Sequence, residues 1–582
     1  MRSLLLGIGA LYVIAVGMGV AGQQAPARDV TTAAPPRATG SGTISGIVLS
    51  AQAPLQPIAR ATVTLSGQGP VRTTLSDQDG HFSFDELTAG RYTLAAVRPG
   101  YVKMTFGALG PDRAGTPLAI SAGEHLDALT ITLPRGAVIA GLVTNEMGRP
   151  AQGISVRLMR FQQRNGARTL VSPAPVGGGI ISMQTDDLGS YRLFGLPAGD
   201  YVVSATPQEV ASLSGTRGSL PASAPAAIYV PVYFPGTTVA SAASVITVVG
   251  GEERMGVGIP LSRVKAAALS GVVMNPLGSP RGAVVSLDSR SPAWSGPSGL
   301  GSDVTVGDDG RFSFSGLAPG DYTVKAVMPL IAPAVGRPAS ELAIPSAWGR
   351  TEVAISGTDI RDLSLLLQPA LTFSGKIAFD GPDVPADIAG RLRIALKPEP
   401  SPGLNATRSA DIQSGGTFRI VGVVPGEYRI VSAMAPSDAS GWALASATAN
   451  GRDAVDLPFD IGPSENIADA LITFTRATQQ VSGVLQSELR VPSSDYTLLI
   501  FPTDRAYWRD GSRRTQTTRP GTDGRFVVRG LPPGDYFLAA LTDLEPDAAG
   551  DPSVLELIAP VAIRFRLAPG ESKIQDLKVT TP

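Results

Sequence analysis

The sequence predicts an all-β chain made of five small β domains in tandem. The first observation is a phrase that recurs five times: a turn glycine, an aromatic residue two positions later, and a tyrosine twelve residues after the glycine. Successive tyrosines are 106 to 121 residues apart, which is the length of a whole domain. The second observation is the run of short alternating strands between turn residues. The paired positions are Gly80 and Tyr92, Gly189 and Tyr201, Gly310 and Tyr322, Gly416 and Tyr428, and Gly524 and Tyr536.

Each repeat opens with a predicted strand that carries a glycine in its middle. Glycine weakens a strand interior, so its recurrence indicates a bulge or the close approach of another backbone. The five glycines are Gly46, Gly141, Gly271, Gly375 and Gly483.

A second predicted strand follows, with two apolar residues separated by one position. Side chains two positions apart lie on the same side of a strand, and we assign that side to the core. The pairs are Val63 and Leu65, Val156 and Leu158, Val285 and Leu287, Ile394 and Leu396, and Leu498 and Ile500.

The repeated phrase itself predicts a hairpin. In the first repeat, Asp77 bonds the nearby backbone and Gly80 tolerates a positive φ. The tyrosine after the second turn begins the next strand, where we expect its ring to fill the core and its hydroxyl to bond the backbone. Each repeat then ends in another strand, such as residues 129–133. The joins between repeats do not exceed ten residues, which predicts a semi-rigid, elongated array.

The amino-acid composition and the net charge limit the kinds of partner that this chain can bind. Apolar residues make up 43% of the chain, enough for real cores, and charged residues only 17%. A net charge of −1 without long charge runs argues against a nucleic-acid partner. One local basic cluster is interpreted as a solvated loop. Its members are Arg509, Arg513, Arg514 and Arg519.

The N-terminus predicts export. Arg2 precedes an apolar run from Leu4 to about Ala21, and small residues at its end suit a cleavage site. We interpret residues 1–22 as a signal peptide and residues 23–40 as a flexible linker. An uncleaved membrane anchor is the alternative. The expected location is the periplasm, the outer envelope or the extracellular space. The chain has no cysteine, so its stability there cannot rest on disulfides.

Residues 309–322 and 523–536 both read Asp-Gly-Arg-Phe, then Pro-Gly-Asp-Tyr. They resemble the carboxypeptidase regulatory-like domain family, of transthyretin-like (prealbumin-like) fold and related to Cna B-type domains. The resemblance implies Greek-key β-sandwiches that are commonly exported accessory modules; it indicates fold strongly and function weakly. The predicted domains are residues 41–134, 135–262 (with long insertions), 263–368, 369–475 and 476–582.

The residue inventory argues against familiar catalytic centres. The two histidines, His81 and His125, have no partner at zinc-binding spacing, and a Gly-x-Ser-x-Gly elbow is absent. We predict no catalytic residue, no metal site and no cofactor. The acidic residues leave one enzymatic alternative, a histidine-free glycoside hydrolase that uses two carboxylates. The aspartates with clear positional logic, such as Asp77 and Asp523, are interpreted as turn residues.

Binding is the remaining functional hypothesis. We predict a non-enzymatic scaffold of the cell envelope whose loops bind polysaccharide or an envelope protein, with membrane contact only through the N-terminal segment. A purely structural surface rod is the other alternative. Exposed aromatic rings can stack on sugars or anchor proteins, although such rings also cover strand edges or pack between domains. The candidate ligand-binding residues are Tyr229, Tyr233, Phe234, Trp294, Trp348, Trp442 and Trp508.

Overall fold

The computed structural model of the protein is all-β, as the repeat predicts. The predicted signal peptide, the predicted linker except its last residue, and Trp294 lie outside the residues that it describes. The five predicted domain ranges are called the first to fifth units below, and that division itself stays a prediction. The described residues are 40–164, 167–173, 179–207, 215–217, 227–289, 303–330, 344–380, 392–399, 407–413, 415–433, 442–476, 479–489, 491–545 and 548–579.

All five units share one strand arrangement. The opening strand lies between the strand that follows the turn glycine, to which it is antiparallel, and the closing strand, to which it is parallel. A second sheet contains the second strand and the strand that carries the signature tyrosine as its third residue, so this strand begins two residues earlier than the sequence predicts. Each unit contains its own large buried apolar cluster, to which both sheets contribute.

The first unit has sheets of order β4-β1-β8 and β3-β2-β5-β6, with β7 also paired to β5. Its strands are β1 Gly42–Ser50, β2 Thr62–Ser66, β3 Arg72–Leu75, β4 His81–Leu87, β5 Gly90–Val97, β6 Met104–Thr105, β7 Leu118–Ile120 and β8 His125–Leu133.

The second unit has sheets of order β13-β9-β19, with β20 also on β9, and β11-β10-β14-β17, with β12 and β18 as side branches. β16 pairs with β21 after the unit's end, and β15 pairs with β25 of the third unit. The strands are β9 Ala137–Thr144, β10 Ser155–Arg164, β11 Ala167–Val171, β12 Ser182–Gln184, β13 Ser190–Leu196, β14 Gly199–Thr206, β15 Gly215–Arg217, β16 Ala227–Tyr229, β17 Val232–Tyr233, β18 Ile246–Val248, β19 Glu253–Arg254 and β20 Ile259–Pro260, followed by β21 Arg263–Lys265.

The third unit has sheets of order β15-β25-β22-β28 and β24-β23-β26-β27-β29, so a strand from the second unit's insertion extends its first sheet. Its own strands are β22 Ala267–Met274, β23 Val284–Ser289, β24 Val304–Thr305, β25 Arg311–Leu317, β26 Gly320–Pro329, β27 Pro345–Ile355 and β28 Ile360–Leu366, followed by β29 Gln368–Pro369.

The fourth unit has sheets of order β33-β30-β38-β35-β36 and β32-β31-β34-β37. Its strands are β30 Leu371–Phe379, β31 Arg393–Pro398, β32 Arg408–Asp411, β33 Thr417–Val423, β34 Gly426–Ala433, β35 Ala443–Ala449, β36 Arg452–Asp453, β37 Phe459–Ile461 and β38 Ile467–Thr475.

The fifth unit has sheets of order β42-β39-β45, with β46 also on β39, and β41-β40-β43-β44. A short helix, α1 (Pro552–Ile558), covers the outer side of the second sheet and forms a second apolar cluster there. The strands are β39 Gln480–Ser487, β40 Thr497–Pro502, β41 Gln516–Thr518, β42 Arg525–Arg529, β43 Gly534–Leu541, β44 Ile563–Leu567, β45 Ser572–Ile574 and β46 Leu577–Val579.

Short helical turns complete the described part of the chain, in which no helix is long and apolar enough to cross a membrane. The 3-10 turns are Ala240–Ala242, Arg505–Tyr507, Ala548–Gly550 and Ala559–Val561.

A backbone carbonyl of the parallel partner approaches each glycine in the opening strands. A Cβ atom built on Gly46 would lie 2.1 Å from the carbonyl oxygen of Leu129, and one on Gly141 would lie 1.9 Å from that of Val257. In the first unit the register of the parallel pair shifts at this point, which marks a bulge. Glycine is needed here because any side chain would collide with the bulged backbone.

The five signature tyrosines share one geometry. Each ring is buried, with at most 4% of the residue exposed, and each hydroxyl donates to the carbonyl oxygen four residues earlier at 2.6 to 2.8 Å. This is the tyrosine-corner geometry, in which one side chain fills the core and also fixes the preceding turn. The hydroxyls of Tyr92, Tyr201, Tyr322, Tyr428 and Tyr536 bond Thr88, Pro197, Ala318, Val424 and Pro532 respectively.

The chain closes on itself, so the expectation of an elongated array is wrong. The first unit contacts the fifth through several bonds, among them an ion pair of 2.9 Å between Arg91 and Asp523. Short joins restrict the angle between neighbouring units, but they do not make successive angles collinear. The interpretation of the basic cluster as a solvated loop is also wrong for Arg519, which is only 6% exposed, and for Arg513 and Arg514, which bond Asp456 of the fourth unit.

Candidate functional site

Two of the candidate aromatic residues are buried, contrary to the expectation of exposed loop rings. Trp508 is 6% exposed, and its indole Nε1 donates to the carbonyl oxygen of Pro502 at 2.7 Å. Its ring meets Phe501 edge-on, at 5.8 Å between centroids, within the cluster under α1. Tyr233 is fully buried on β17, against Met159 and Val202. Both rings pack within their units because they face an extra apolar layer on the outer side of a sheet.

Tyr229 and Phe234 belong to the Pro-rich insertion of the second unit. The Tyr229 hydroxyl donates to the carboxylate of Glu146, and the guanidinium of Arg263 lies 4.5 Å from the centre of the Tyr229 ring. The hydrogen bond to Glu146 raises the pKa of Tyr229 and lowers the pKa of Glu146. Phe234 is half-buried against the core of the unit. The partners of Tyr229 are therefore internal, and they fix its ring in place.

Trp348 and Trp442 are partly buried, and they lie in different units. Trp348 is on strand β27 opposite Val327 rather than in a loop. The Trp442 ring meets Phe379 edge-on at 5.0 Å, and the Arg476 guanidinium lies 4.8 Å from its centre. The indole Nε1 atoms of both tryptophans are buried and have no hydrogen-bond partner among the residues that the structure describes. Ligand binding at these residues, and at Trp294 outside the described residues, stays a prediction.

The described residues hold no group of three or more His, Cys, Asp or Glu side chains that could bind a metal ion. The turn aspartates serve the backbone: Asp77 accepts the N–H groups of Asp79 and His81, at 2.9 and 2.8 Å. His125 is exposed and bonds the hydroxyl of Thr43 at 2.7 Å. These contacts are structural, and none brings a histidine or a second carboxylate into a catalytic pairing.

A groove of about 540 Å³ on the second unit is the candidate binding site of this structure. Its lining includes Ala140 and Gly141 of strand β9, together with Met183 and Met255. Gly141 must lack a side chain because a Cβ atom there would lie 1.9 Å from the carbonyl oxygen of Val257. The remaining lining residues are Leu142, Asp186, Ser190, Tyr191, Arg192, Gly256 and Gly258.

The polar groups of the groove are few and already oriented. The Tyr191 hydroxyl donates to the Val257 carbonyl at 2.7 Å, and burial raises the pKa of Tyr191, so the phenol stays neutral. The Arg192 guanidinium pairs with Glu253 at 3.1 Å. The backbone N–H of Arg192 points to the Met183 sulfur at 3.1 Å, which is a weak acceptor. A carbonyl oxygen that displaced this thioether would make a stronger hydrogen bond.

Sequence reasoning missed this groove. Its methionines lie outside the repeated phrase. They come together only because β12, which pairs with β10 in the second sheet, brings Met183 against Arg192 of β13, while Met255 follows β19 beside β9. The available signal was the exposure of apolar side chains: Leu142 is 50% exposed and Met255 64%. Such exposure depends on the fold and has no local sequence pattern.

Comparison with known proteins gives the following relatives. The chain is 28% identical over 169 residues to Colossin-A of Dictyostelium discoideum, an alignment that covers 27% of this chain and 1% of Colossin-A. Among solved structures, the minor pilin GBS52 of Streptococcus agalactiae is 14% identical, with 38% of this chain and 97% of that chain covered at a TM-score of 0.21. A putative carbohydrate-binding protein, PA1324 of Pseudomonas aeruginosa, is 17% identical, with 16% and 91% covered at a TM-score of 0.13.

These structural likenesses are too low to carry an argument. The family comparison is more direct, because residues 43–134 match the carboxypeptidase regulatory-like domain. This range is nearly the whole of the predicted first domain, residues 41–134. The match confirms, at the first of the five units, the carboxypeptidase regulatory-like family that the repeated phrase resembles.

Proposed function

We propose that this chain is an exported, non-enzymatic scaffold that binds a protein of the cell envelope through the groove on its second unit. The observation that carries the proposal is that Gly141 and two methionines, Met183 and Met255, line the same groove. Methionine side chains are flexible and polarisable, and they are over-used on surfaces that accept apolar side chains of partner proteins.

The groove favours a protein over a polysaccharide. Sugar recognition by stacking needs exposed aromatic faces, whereas Trp508 and Tyr233 are buried and Trp442 already packs against Phe379 and Arg476. The groove instead offers apolar walls and one backbone N–H, that of Arg192, whose acceptor is a thioether. An extended peptide supplies both complementary features, an apolar side chain and a carbonyl oxygen.

The test compares two classes of ligand on one surface. The purified chain is immobilised, and saturable binding is measured against a panel of polysaccharides and against purified envelope protein fractions. We expect binding to a protein fraction, and we expect Met255→Glu to weaken it at least tenfold. The matched control is Leu557→Glu, since Leu557 is similarly exposed, at 79%, but lies on α1 of the fifth unit.

Three outcomes would contradict the proposal. Saturable binding to a polysaccharide, unchanged by Met255→Glu, would return the function to the aromatic residues and to glycan capture. Binding to neither class would favour the structural rod. Equal loss in Met255→Glu and Leu557→Glu would mean that added negative charge, rather than the groove, determines the interaction.

A further inference from the structure

The contact between the first and fifth units is extensive and specific. The Arg91 guanidinium bonds both carboxylate oxygens of Asp523, at 2.9 and 3.1 Å, and the carbonyl oxygen of Arg525 at 2.9 Å. Beside it, Arg113 pairs with Asp543 at 2.7 Å and with Glu545 at 3.6 Å. Two cations of the first unit therefore face a set of carboxylates on the fifth.

Backbone bonds fix the position of this contact. The Thr522 N–H donates to the Pro117 carbonyl at 3.0 Å, and the Ala119 N–H donates to the Thr522 hydroxyl at 3.2 Å. Arg519 of the fifth unit reaches across to the carbonyl oxygens of Gly107 and Ala114, at 2.6 and 3.0 Å. These hydrogen bonds form together in only one relative orientation of the two units, so the contact has a defined geometry.

The first unit differs from the other four in its charge at the position directly before the signature tyrosine. Arg91 directly precedes the signature tyrosine, Tyr92. The same position in the other four units is acidic. The four acidic residues are Asp200, Asp321, Glu427 and Asp535. Only the first unit can therefore present a cation here to the turn aspartate of the fifth.

The contact is polar. In the described parts of the chain, the large buried apolar clusters belong to single units, and none of them joins the first unit to the fifth. Interfaces of this kind between domains resemble transient protein–protein interfaces, and they open more readily than apolar ones. The two surfaces also differ from each other, so the contact is of the heterologous type.

We propose that this surface of the fifth unit also binds the first unit of a second copy of the chain. The partner surface is the one already covered within the chain: Arg91, Arg113 and the carbonyl groups at residues 107–117. Two opened chains can exchange their fifth units. The first unit of each chain then contacts the fifth unit of the other chain, which produces a reciprocal dimer. This inference concerns self-association, and it does not depend on the groove of the second unit.

Closure within one chain competes with exchange between chains. Closure benefits from the effective concentration of a partner that is tethered in the same chain. The wild-type chain is therefore expected to be a monomer in dilute solution. Exchange can be detected with variants whose charges at this contact repel each other within one chain but attract each other between two different chains.

The experiment uses two complementary full-length variants. Variant one carries Arg91→Asp and Arg113→Asp, so that like charges oppose each other inside that chain. Variant two carries Asp523→Arg and Asp543→Arg, with the same consequence. After mixing, each first unit meets a fifth unit of opposite charge. We expect each variant alone to have the mass of one chain, 59.9 kDa, and the 1:1 mixture to reach twice that mass by light scattering.

The control is a single chain with all four reversals, which restores opposite charges within the chain. It should remain a monomer alone and in mixture with wild type, and its circular dichroism shows whether the new residues still allow folding. A mixture of variants one and two that stays at the single-chain mass overturns the proposal. Dimers that form equally in either variant alone overturn it too, because charge complementarity would then play no part.

Discussion

The carboxylate of Asp456, in the fourth unit, receives the guanidinium groups of both Arg513 and Arg514 from the fifth. Only 2% of the Asp456 side chain is exposed, and Arg514 bonds it at 2.6 Å. Arg513 also donates to the carbonyl oxygens of Leu444 and Ala445, at 2.6 and 2.9 Å. One buried acid thus organises the junction of the last two units.

Replacing this acid should loosen the junction. Asp456→Ala leaves two partly buried cations without their counter-ion, and breaking a buried pair in this way costs about 3–5 kcal/mol. We expect faster amide hydrogen exchange in residues 443–456 and 505–518. Asp535→Ala, at an exposed position on strand β43 of the fifth unit, serves as the control. Unchanged exchange in Asp456→Ala would show that the two arginines are stabilised by other contacts.

Trp508→Ala should destabilise the fifth unit. The ring is buried under α1, and removal of a buried tryptophan costs about 3–5 kcal/mol. The expected result is increased hydrogen exchange in β40 and β43. Trp442→Ala is the comparison, since that ring is only half-buried, and its effect on the fourth unit should be smaller. If Trp508→Ala instead leaves exchange unchanged and reduces ligand binding, the ring has the exposed role that its sequence position suggested.

Gly141→Ala should disturb both the fold and the groove of the second unit. The new Cβ would lie 1.9 Å from the Val257 carbonyl oxygen, so β9 or its neighbour must move. We expect a loss of about 1–3 kcal/mol in stability, as for an overpacked core, measured by urea unfolding. Gly258→Ala is the matched control in the same groove, because its Cβ would meet nothing closer than 3.9 Å. Equal effects of the two substitutions would contradict the steric explanation.

Alkaline pH should weaken the third unit through its signature tyrosine. Burial raises the pKa of Tyr322 to about 12, whereas an unfolded tyrosine titrates near 10. The folded state therefore holds its proton more tightly. The associated stability is fully present below about pH 10 and is lost as the pH rises from about 10 to about 12.

Tyr322→Phe tests this expectation. The variant loses the hydrogen bond to the Ala318 carbonyl, which should cost about 1 kcal/mol at neutral pH. It should also lose less stability than the wild type between pH 9 and 11.5, as judged by hydrogen exchange of β26 after correction for the intrinsic rate. Parallel pH profiles of variant and wild type would assign the alkaline loss to other groups.

The repeated elements of the fold could be predicted because each depends on a few neighbouring residues. A turn needs a glycine with positive φ, and Gly80, Gly310 and Gly524 have φ values of 79°, 66° and 70°. Alternation alone places Val63 and Leu65 on the core side, where both are buried. The position of the strand glycines also indicated a close backbone approach, although it did not identify the carbonyl involved.

The contacts between units could not be predicted in this way. Arg91 and Asp523 are separated by more than 400 residues, and their meeting depends on the angles at every intervening join. Arg513 and Arg514 look the same in the sequence whether they face water or a buried acid. The burial of Trp508 depends on α1, which begins more than forty residues later and falls outside the repeat. The groove likewise depends on which loops flank one sheet.

The parallel pairing of β1 with β8 determines how the first unit would carry load. Seven residue pairs, from Thr43 with His125 to Ser50 with Leu133, join the strands at which this unit begins and ends. Because the strands run in the same direction, the chain enters at one end of the sandwich and leaves at the other. Tension on the two ends would pull the strands past each other along their length. All the hydrogen bonds between them would then be strained at the same time, and this resists extension better than breaking the bonds one after another. The same parallel pair occurs in β22 with β28 and in β30 with β38, so the same resistance to extension is expected of the third and fourth units.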